Sequence, residues 1–439
     1  MSIARNSVLS FVPQAVLVVT SLLTSIVTAR LLGPEGRGLL SVALLVTVML
    51  AWIADMGLGS ALTFFSGKKR IPESGAMMYV IYATLGPAAV VLGAALLAWP
   101  WLSGGVLGGV PFPTFVAALC ALPAMLFVNL WIRLEMVYGR YRSTMLYQSA
   151  QAVAALAGTW FVLLAMDGGP HEVVVVTAVV YTASALLMAA DSARVHGFSK
   201  RVAGPRLREV LSYSVRSYLG GLVYYTALRV DSFILNASAG NAAVGQYSMA
   251  VTLAEKLWLV DSSISQATMP QVVGRDRDSS AAIVAASSRM VVLILGVLAV
   301  TLWVAAPFLI GLLYGSDYLP AVLPLRILLP GVVLFGSSRI LSQYYMGQLG
   351  RPGVSSAVSV GMAVVGVALY MTLIPAYGFV GAAIASSATY SLGFVANAVL
   401  FCRATGTPYH RIIVPTSEEV SRIRAAVEAG LHVLSRRTR

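Results

Sequence analysis

The segment SVLSFVPQAVLVVTSLLTSIVTARLL, residues 7–32, decides the class of this protein. Its 26 residues contain one charged side chain, Arg30, close to the end of the run. A helix of about 20 apolar residues crosses the ~30 Å hydrocarbon core of a bilayer, so this run is long enough to span a membrane. It is too long for the apolar core of a signal peptide and no small-residue cleavage site follows it, so we predict a retained transmembrane helix.

The rest of the chain continues this pattern. Of the 439 residues, 58% are hydrophobic and 11% are charged, and the mean hydropathy is +0.82. A soluble protein of this length needs more charge to cover its surface. We therefore predict an all-α polytopic membrane protein with about twelve spans, numbered in chain order: 7–32, 38–64, 76–99, 113–134, 143–166, 172–194, 209–236, 243–268, 288–311, 319–345, 353–375 and 378–402.

The basic residues predict the orientation. The net charge is +13, which in a soluble protein would indicate nucleic acid, but positive charge in membrane proteins collects in cytoplasmic loops. With the N-terminus inside, 23 Lys and Arg residues fall in inner segments, whereas the outer segments hold only Arg30 and Arg37. The asymmetry predicts a multi-pass protein of the bacterial plasma (inner) membrane with both termini in the cytoplasm, and no nucleic-acid partner.

An internal repeat predicts two lobes. At an offset of 207–208, Gly33 and Gly38 align with Gly240 and Gly245, and the same register aligns Ser41 with Ser248 and later Gly158 with Gly366. Each unit holds six spans, an even number, so both have the same orientation and a pseudo-twofold axis along the membrane normal should relate them. We expect an N-terminal six-helix lobe (1–205), a C-terminal six-helix lobe (206–405) and, between them, a seam.

The tail, 406–439, is a separate element. Thr416 and Glu419 form a capping-box pattern, and apolar residues follow at helical spacing with Arg residues between them. This pattern favours an amphipathic helix on the inner membrane face, in contact with membrane lipids, over a partner-binding helix.

Ionisable residues inside the spans predict the site. The segment VRSYLGGLVYYTALRVDSF, residues 215–233, carries three of them in an apolar run, and six belong to spans 7 and 8. A charge near the bilayer centre costs roughly 3 kcal/mol, so each should face a partner or a cavity. The charged residues within the spans and away from their ends are Asp55, Arg216, Arg229, Asp231, Glu255, Lys256, Asp261, Arg326 and Arg339.

Two interpretations of spans 7 and 8 stay open. Arg229–Glu255 and Asp231–Lys256 can be interhelical ion pairs that fix the register, or the same residues can bind a substrate or an ion, which we favour because intramembrane charge is usually functional. Arg339, near the inner end of span 10, is expected only to extend to the cytoplasmic surface.

An excess of Arg over acidic residues in the seam between the two lobes favours binding of a phosphate group, because the planar guanidinium group matches the spacing of phosphate oxygens. Arg30 and Arg37 flank an outer turn and suit either lipid headgroups or the outer rim of an anionic substrate's path. The candidate substrate-binding residues are Arg216, Arg229, Lys256, Arg326, Arg30 and Arg37, and the candidates for ion coupling or ion pairing are Asp231, Glu255, Asp55 and Asp261.

Several stretches resemble a known family. ARLLGPEGRGLLSVALLVT followed by IADMGLGSALTFF resembles the start of polysaccharide-repeat flippases of the multidrug/oligosaccharidyl-lipid/polysaccharide exporter superfamily. LRVDSFILNASAGNAAVGQYSMAVTLAEKL resembles the start of their second lobe, and MGQLGRPGVSSA and YGFVGAAIASSATYSLGFV resemble their last spans. The resemblance covers residues 1–405.

The resemblance implies two six-helix bundles whose spans 1, 2, 7 and 8 line a cationic cavity. It implies a substrate consisting of a lipid-linked oligosaccharide on a polyprenyl pyrophosphate, exported by alternating access for synthesis of lipopolysaccharide or exopolysaccharide. It also implies coupling to an H⁺ or Na⁺ gradient or to the membrane potential, and partner glycosyltransferases or a polymerase of the same pathway.

Other functions fit the sequence less well. Peptidoglycan-precursor flippases usually have fourteen spans and a basic first span, and drug antiporters of the superfamily rely on acidic residues, of which Asp55 alone lies well within the first lobe's spans. A membrane glycosyltransferase or polymerase needs carboxylates gathered on an outer loop. The outer acids are scattered, Cys120 and Cys402 form no metal-site pattern, and there is no Walker loop, so we predict a non-enzyme without a resident cofactor.

Overall fold

A computed structural model describes residues 3–197, 205, 208–214, 222, 225–226 and 228–414. Over these residues the chain is helical and forms no strand. Its helices are α1 (Ile3–Asp55), α2 (Leu58–Gly67), α3 (Glu73–Ser103), α4 (Phe112–Val137), α5 (Tyr141–Ala165), α6 (Pro170–His196), α7 (Val230–Lys256), α8 (Trp258–Val272), α9 (Arg277–Tyr314), α10 (Val322–Gln343), α11 (Pro352–Thr405) and α12 (His410–Ile413).

Two connections near α10 are also helical. A 3₁₀ turn, Ser316–Ala321, precedes α10, and a π turn, Tyr344–Gln348, follows it. Asp276 caps the N-terminus of α9, because its carboxylate accepts the backbone N–H of Ser279 at 2.8 Å. That hydrogen bond holds the pKa of the Asp276 carboxyl below its ordinary value.

Three glycines divide long helices into two spans each. Gly33, Gly240 and Gly378 have positive φ (65°, 78° and 56°) and interrupt α1, α7 and α11. The sequence analysis expected a turn over residues 33–38, but only Gly33 leaves the helical conformation. Pro34 restarts the helix at once, because its fixed φ suits a first helical position.

The twelve-span architecture is confirmed once these breaks are counted. Eight helices in the described residues are long and apolar enough to cross a membrane, and the helices over Gln14–Asp55 and Gly353–Thr405 correspond to two predicted spans each. Spans 7 and 8 correspond to the helical residues 208–214 and to α7 and α8, although much of span 7 lies outside the described residues.

Spans 2 and 8 are broken, which the sequence analysis did not predict. Met56 and Gly57 both have positive φ, 43° and 80°, and separate α1 from α2. Leu257 separates α7 from α8, and the backbone there makes i→i+3 hydrogen bonds. Two of the four predicted cavity-lining spans are therefore discontinuous helices, the kind that forms binding sites in transporters.

The described chain divides into two compact units that differ from the predicted lobes. The first unit comprises residues 1–249, 310–321 and 370–382, and the second comprises 250–309, 322–369 and 383–439. The first unit thus contains two segments of the second repeat that are predicted to lie on the outer side, 310–321 and 370–382, together with the whole first repeat. The lobe boundary at residue 205 stays a prediction.

Each unit has its own apolar core. In the first unit Leu122, Leu130 and Trp131 of α4, all at 0% exposure, pack with α2, α3 and α6. In the second unit Val291 and Leu295 of α9 pack with Ile340 and Leu341 of α10 and with Phe401 of α11.

The beginning of the tail is part of the second unit. Ile412 in α12 is fully buried in the core of this unit, and its carbonyl accepts the hydroxyl of Ser288 at 2.8 Å. The predicted amphipathic helix, with Thr416 and Glu419, lies outside the described residues.

Candidate functional site

Repeat counterparts meet where span 2 crosses span 8, inside the first compact unit. A Cβ on Gly38 would overlap the carbonyl oxygen of Asn241, and a Cβ on Gly245 would overlap that of Pro34. Pro34 and Asn241 are 207 residues apart, as are Gly38 and Gly245. The hydroxyl oxygens of Ser41 and Ser248, again counterparts, lie 3.5 Å apart. We call these residues the outer crossing.

The crossing is isologous: residue i of one repeat contacts residue j of the other, and j contacts i. Such reciprocity is the signature of a twofold axis that runs between Ser41 and Ser248. Glycine at positions 38 and 245 lets the two backbones approach more closely than any side chain would permit.

A second reciprocal contact lies beside the crossing. Arg30 at the end of span 1 donates from Nε to the carbonyl of Leu313 at 2.9 Å, and Asn236 at the end of span 7 donates to the carbonyl of Val106 at 3.1 Å. Val106 and Leu313 are 207 residues apart. Each repeat's first span therefore hydrogen-bonds the other repeat's connection between its third and fourth spans.

Arg37 also has a partner within the protein. Its guanidinium donates to the hydroxyl of Thr28 at 3.1 Å, and Tyr318 donates to the carbonyl of Ala29 at 3.1 Å. Arg30 and Arg37 were predicted as headgroup contacts or as a substrate rim. In this structure the Arg30 guanidinium binds the carbonyl of Leu313 at the end of α9, and the Arg37 guanidinium binds Thr28 near the end of α1's first half.

The charges of spans 7 and 8 have polar surroundings. Asp231 is 4% exposed, and its carboxylate accepts the hydroxyl of Tyr247 at 2.8 Å. Arg229, Glu255 and Lys256 are half-buried, and Glu255 and Lys256 lie in the last turn of α7 just before the break at Leu257.

In each of the predicted pairs, Arg229–Glu255 and Asp231–Lys256, one residue belongs to the first compact unit and the other to the second. Both pairings stay predictions. Arg216 lies outside the described residues.

Arg326 lies against α9. Its Nε donates to the carbonyl of Trp303 at 3.1 Å, and its guanidinium carbon is 4.3 Å from the centre of the Trp303 ring. This cation–π contact gives the charge a partner within the second unit.

Arg339 is partly exposed, as expected, but it also has a partner that the sequence analysis did not predict. Its Nη1 lies 3.1 Å from Oδ2 of Asp261, and its Nη2 donates to the hydroxyl of Ser262 at 3.2 Å. Asp261 is fully buried, and burial makes an ionised carboxylate costly unless a cation lies beside it. Arg339 supplies that cation.

An equivalent Asp and Arg occur in the first repeat. Asp55 and Arg133 each precede Asp261 and Arg339 by 206 residues, and the charge of Arg133 acts on Asp55. The Asp55 carboxylate accepts the backbone N–H groups of Gly57 and Gly59, both at 3.2 Å, and so caps the break between α1 and α2. The aliphatic part of Arg133 packs against Gly59, where a Cβ would lie 2.6 Å from Cδ.

The sequence analysis missed a polar cluster around Glu135. This carboxylate, at 0% exposure near the end of α4, accepts hydrogen bonds from Arg140 at 2.8 Å and from Ser192 at 3.1 Å, and lies 3.2 Å from Nε2 of His196. Arg140 also pairs with Asp191 at 2.8 Å. The signal that could have revealed this cluster is Glu135 itself, an acidic residue between Arg133 and Arg140. The sequence analysis counted those two Arg residues only as basic residues of an inner segment.

These residues tie the predicted inner ends of α4, α5 and α6 together. Over the described ranges no group of three His, Cys, Asp or Glu side chains is arranged to hold a metal ion.

Comparison with solved structures shows the fold. The chain is similar to the lipid II flippase MurJ in an inward closed conformation, with a TM-score of 0.77 and 12% identity over 92% of this chain and 89% of that one. It is also similar to a multidrug resistance MATE family transporter of the MOP superfamily, inward-facing, with a TM-score of 0.66 and 15% identity over 91% and 99% of the two chains.

A MOP superfamily transporter from Pyrococcus furiosus matches with a TM-score of 0.65 and 15% identity over 92% and 96%. No curated protein matches the sequence significantly.

Comparison with family models identifies the family. The model described as "Polysaccharide biosynthesis protein" matches residues 27–323, which is well over half of the chain. The matched region includes the outer crossing and the charges of spans 7 and 8. Together with the two-lobed helical fold, it confirms the resemblance to the polysaccharide exporters. The chain belongs to the polysaccharide biosynthesis protein family and has the fold of the MOP superfamily.

Proposed function

We propose that this protein moves an oligosaccharide, linked to a polyprenyl pyrophosphate, across the bacterial plasma membrane by alternating access, for the synthesis of a surface polysaccharide such as lipopolysaccharide or exopolysaccharide. Both termini are cytoplasmic in this proposal, and the loaded carrier enters from the inner side. The protein breaks and forms no covalent bond, so it acts as a transporter and not as an enzyme.

The observation that carries the proposal is the outer crossing. Two repeats that meet at Gly38 and Gly245 about a twofold axis form a closed outer side, which must open for substrate to leave. The contact is built from a glycine approach, the Ser41–Ser248 contact and a few hydrogen bonds to carbonyl groups.

The proposed substrate follows from family and charge. The family is one of polysaccharide biosynthesis proteins, and the flippase with the similar fold is named for lipid II, another lipid-linked saccharide. Arg216, Arg229 and Lys256 supply three cationic side chains on spans 7 and 8. Such side chains suit a pyrophosphate head, whose oxygens accept charge-assisted hydrogen bonds.

A carboxylate of the broken spans would couple this movement to an H⁺ or Na⁺ gradient. Asp231, Glu255, Asp55 and Asp261 are the candidates, because each lies within a predicted span beside a cation or a break. A carboxylate that exchanges a protein cation for H⁺ or Na⁺ biases the equilibrium between inward- and outward-facing states.

The second candidate is an ion-coupled multidrug antiporter, which the likeness to MATE transporters favours. Lipophilic cationic drugs need acidic residues in the cavity, whereas the predicted seam of this chain also carries the cations Arg216, Arg229 and Lys256. A membrane glycosyltransferase or polymerase is the third candidate; such enzymes are instead the proposed partners in the pathway.

Reconstitution tests the substrate. Purified protein in liposomes that contain a polyprenyl-pyrophosphate oligosaccharide should move the saccharide to the side where an added glycosidase can cut it. Replacing Arg229 or Lys256 with Ala should slow this at least about tenfold, because a charge-assisted hydrogen bond contributes about 1.5–3 kcal/mol. Arg351→Ala, which removes an exposed loop charge, is the matched control. Normal flipping by both variants, or faster efflux of cationic drugs than of saccharide, would reject the proposed substrate.

Imposed gradients test the coupling. Glu255→Gln should still bind the lipid-linked saccharide but should no longer respond to a pH or Na⁺ gradient across the liposome membrane. If Glu255→Gln responds to every gradient as the parent does, the same measurement on Asp231→Asn, Asp55→Asn and Asp261→Asn decides among the remaining carboxylates. A full response in all four variants would reject coupling through these groups.

A further inference from the structure

A cavity of about 640 Å³ lies between the first turns of α9 and the chain that follows α11. Three alanines of α9 contribute part of its lining. Its charged and polar lining residues are Arg289, His410, Arg411, Thr405, Thr407 and Asp278. All of them belong to the second compact unit, so the cavity is separate from the outer crossing.

The cavity wall is held in place by buried contacts. Ser288 donates to the carbonyl of Ile412 at 2.8 Å and lies 2.7 Å from the hydroxyl of Ser337, and the guanidinium of Arg289 donates to the carbonyl of Arg411. Ile412 is fully buried. These contacts fix α12 against α9 and hold the cavity wall in position.

The charge of the cavity is positive. Two guanidinium groups, Arg289 and Arg411, outweigh the single carboxylate of Asp278, and His410 adds a ring that can donate a hydrogen bond. The hydroxyl of Thr405 donates to that of Thr407 at 2.8 Å, which leaves the Thr407 proton as a further donor. Guanidinium and hydroxyl donors around one space are the chemistry that recognises phosphate oxygens.

The cavity lies at the depth of lipid headgroups. α9 has 38 residues, so it is far longer than the about 20 residues that cross the hydrocarbon core, and its predicted span begins only at residue 288. Its first turns, which carry Asp278, therefore project beyond the hydrocarbon. α11 ends at Thr405, where Gly406 caps it in a left-handed conformation. Basic pockets between membrane helices at this level bind anionic headgroups.

We propose that this cavity binds a phosphate group, and that the group belongs to an anionic membrane lipid such as phosphatidylglycerol, on the predicted cytoplasmic side. The phosphate is held by Arg411, Arg289 and His410, with the hydroxyl of Thr407 beside it, and the acyl chains extend along α9 and α11. A bound lipid then links the start of the tail to the membrane surface. The site is independent of the transported saccharide.

Lipid retention measured by native mass spectrometry tests this site. The full-length protein, purified in detergent and titrated with phosphatidylglycerol, should retain one lipid more tightly than it retains phosphatidylcholine. The double variant Arg411→Gln, His410→Gln should weaken that retention at least about tenfold, because each lost charge-assisted contact is worth at least that factor. These exposed side chains leave the backbone contacts of α12 intact, so the fold is kept.

Arg403→Gln is the matched control, because it removes one exposed positive charge from α11 outside the cavity lining. It should leave lipid retention unchanged. Inorganic phosphate is the second probe. If phosphate raises the melting temperature of the parent but not of the double variant, while lipid retention is equal in both, the site takes a soluble phosphate and the proposal of a lipid is replaced. If neither probe distinguishes parent from double variant, or if Arg403→Gln loses as much lipid, the phosphate site is rejected.

Discussion

Two regions of this molecule use counterpart residues of the internal repeat, and they use them differently. At the outer crossing the counterpart residues make equivalent contacts. Gly38 lies against Asn241 as Gly245 lies against Pro34, and Ser41 contacts Ser248. In the Asp–Arg pairs of spans 2, 4, 8 and 10 the contacts are not equivalent. Asp55 is half-buried and caps a helix break with two backbone hydrogen bonds, whereas Asp261 is fully buried 3.1 Å from Arg339.

The difference indicates where symmetry is required and where it has been lost. A contact on a twofold axis needs equivalent residues from both repeats, so neither side can change alone. An Asp–Arg pair inside one repeat has no such constraint. In the second repeat it is an ion pair between a buried Asp261 and a partly exposed Arg339. Such an arrangement can respond to a proton or cation, and we expect directional functions there.

The largest effect is expected at the crossing. Gly38→Val and Gly245→Val should each reduce transport at least tenfold, and by similar amounts, because each side chain would overlap a backbone carbonyl and prevent the outer side from closing. Gly361→Val, in α11 where a Cβ meets open space, should keep most of the activity. The liposome flipping assay measures all three, at matched expression.

A strongly unequal result for the two glycines would break the comparison. If Gly38→Val were inactive and Gly245→Val fully active, the crossing would not be a twofold contact in the working protein.

Arg339→Gln should have the next largest effect. It leaves Asp261 buried without its cation, which costs about 3 kcal/mol of the free energy of unfolding, while the double variant with Asp261→Asn should recover most of that loss. Thermal unfolding in detergent measures both variants. A double variant as unstable as Arg339→Gln alone would show that the pair is not what stabilises this position.

Arg133→Gln, the counterpart substitution, should have the smallest effect. Asp55 keeps the N–H groups of Gly57 and Gly59 and stays partly accessible to water, so the loss should be below about 1 kcal/mol. The same unfolding measurement provides the comparison. Equal losses for Arg133→Gln and Arg339→Gln would remove the distinction between the two pairs.

The sequence predicted much of the fold because hydrocarbon imposes a simple rule on composition. Runs of apolar residues predicted the twelve spans, and the glycines at 33 and 240 marked both the repeat and the positions where long helices break. The family followed from the same glycine-rich stretches.

The sequence could not predict which charges meet. Arg339 was expected at the surface because its partner, Asp261, is 78 residues away in sequence, and no local pattern joins them. The break at Leu257 carries no glycine or proline to announce it. The contacts of Arg30 with the carbonyl of Leu313 and of Arg37 with the hydroxyl of Thr28 depend on how the helices pack, which composition does not determine.

The most direct test of alternating access is a reversible cross-link on the twofold axis. Ser41→Cys and Ser248→Cys, in a background with Cys120→Ala and Cys402→Ala, should form a disulfide on mild oxidation, because the two hydroxyl oxygens lie 3.5 Å apart. We expect the cross-linked protein to stop moving lipid-linked saccharide, and dithiothreitol to restore the movement, since the outer side must open to release it. Full transport with the disulfide intact would contradict the account.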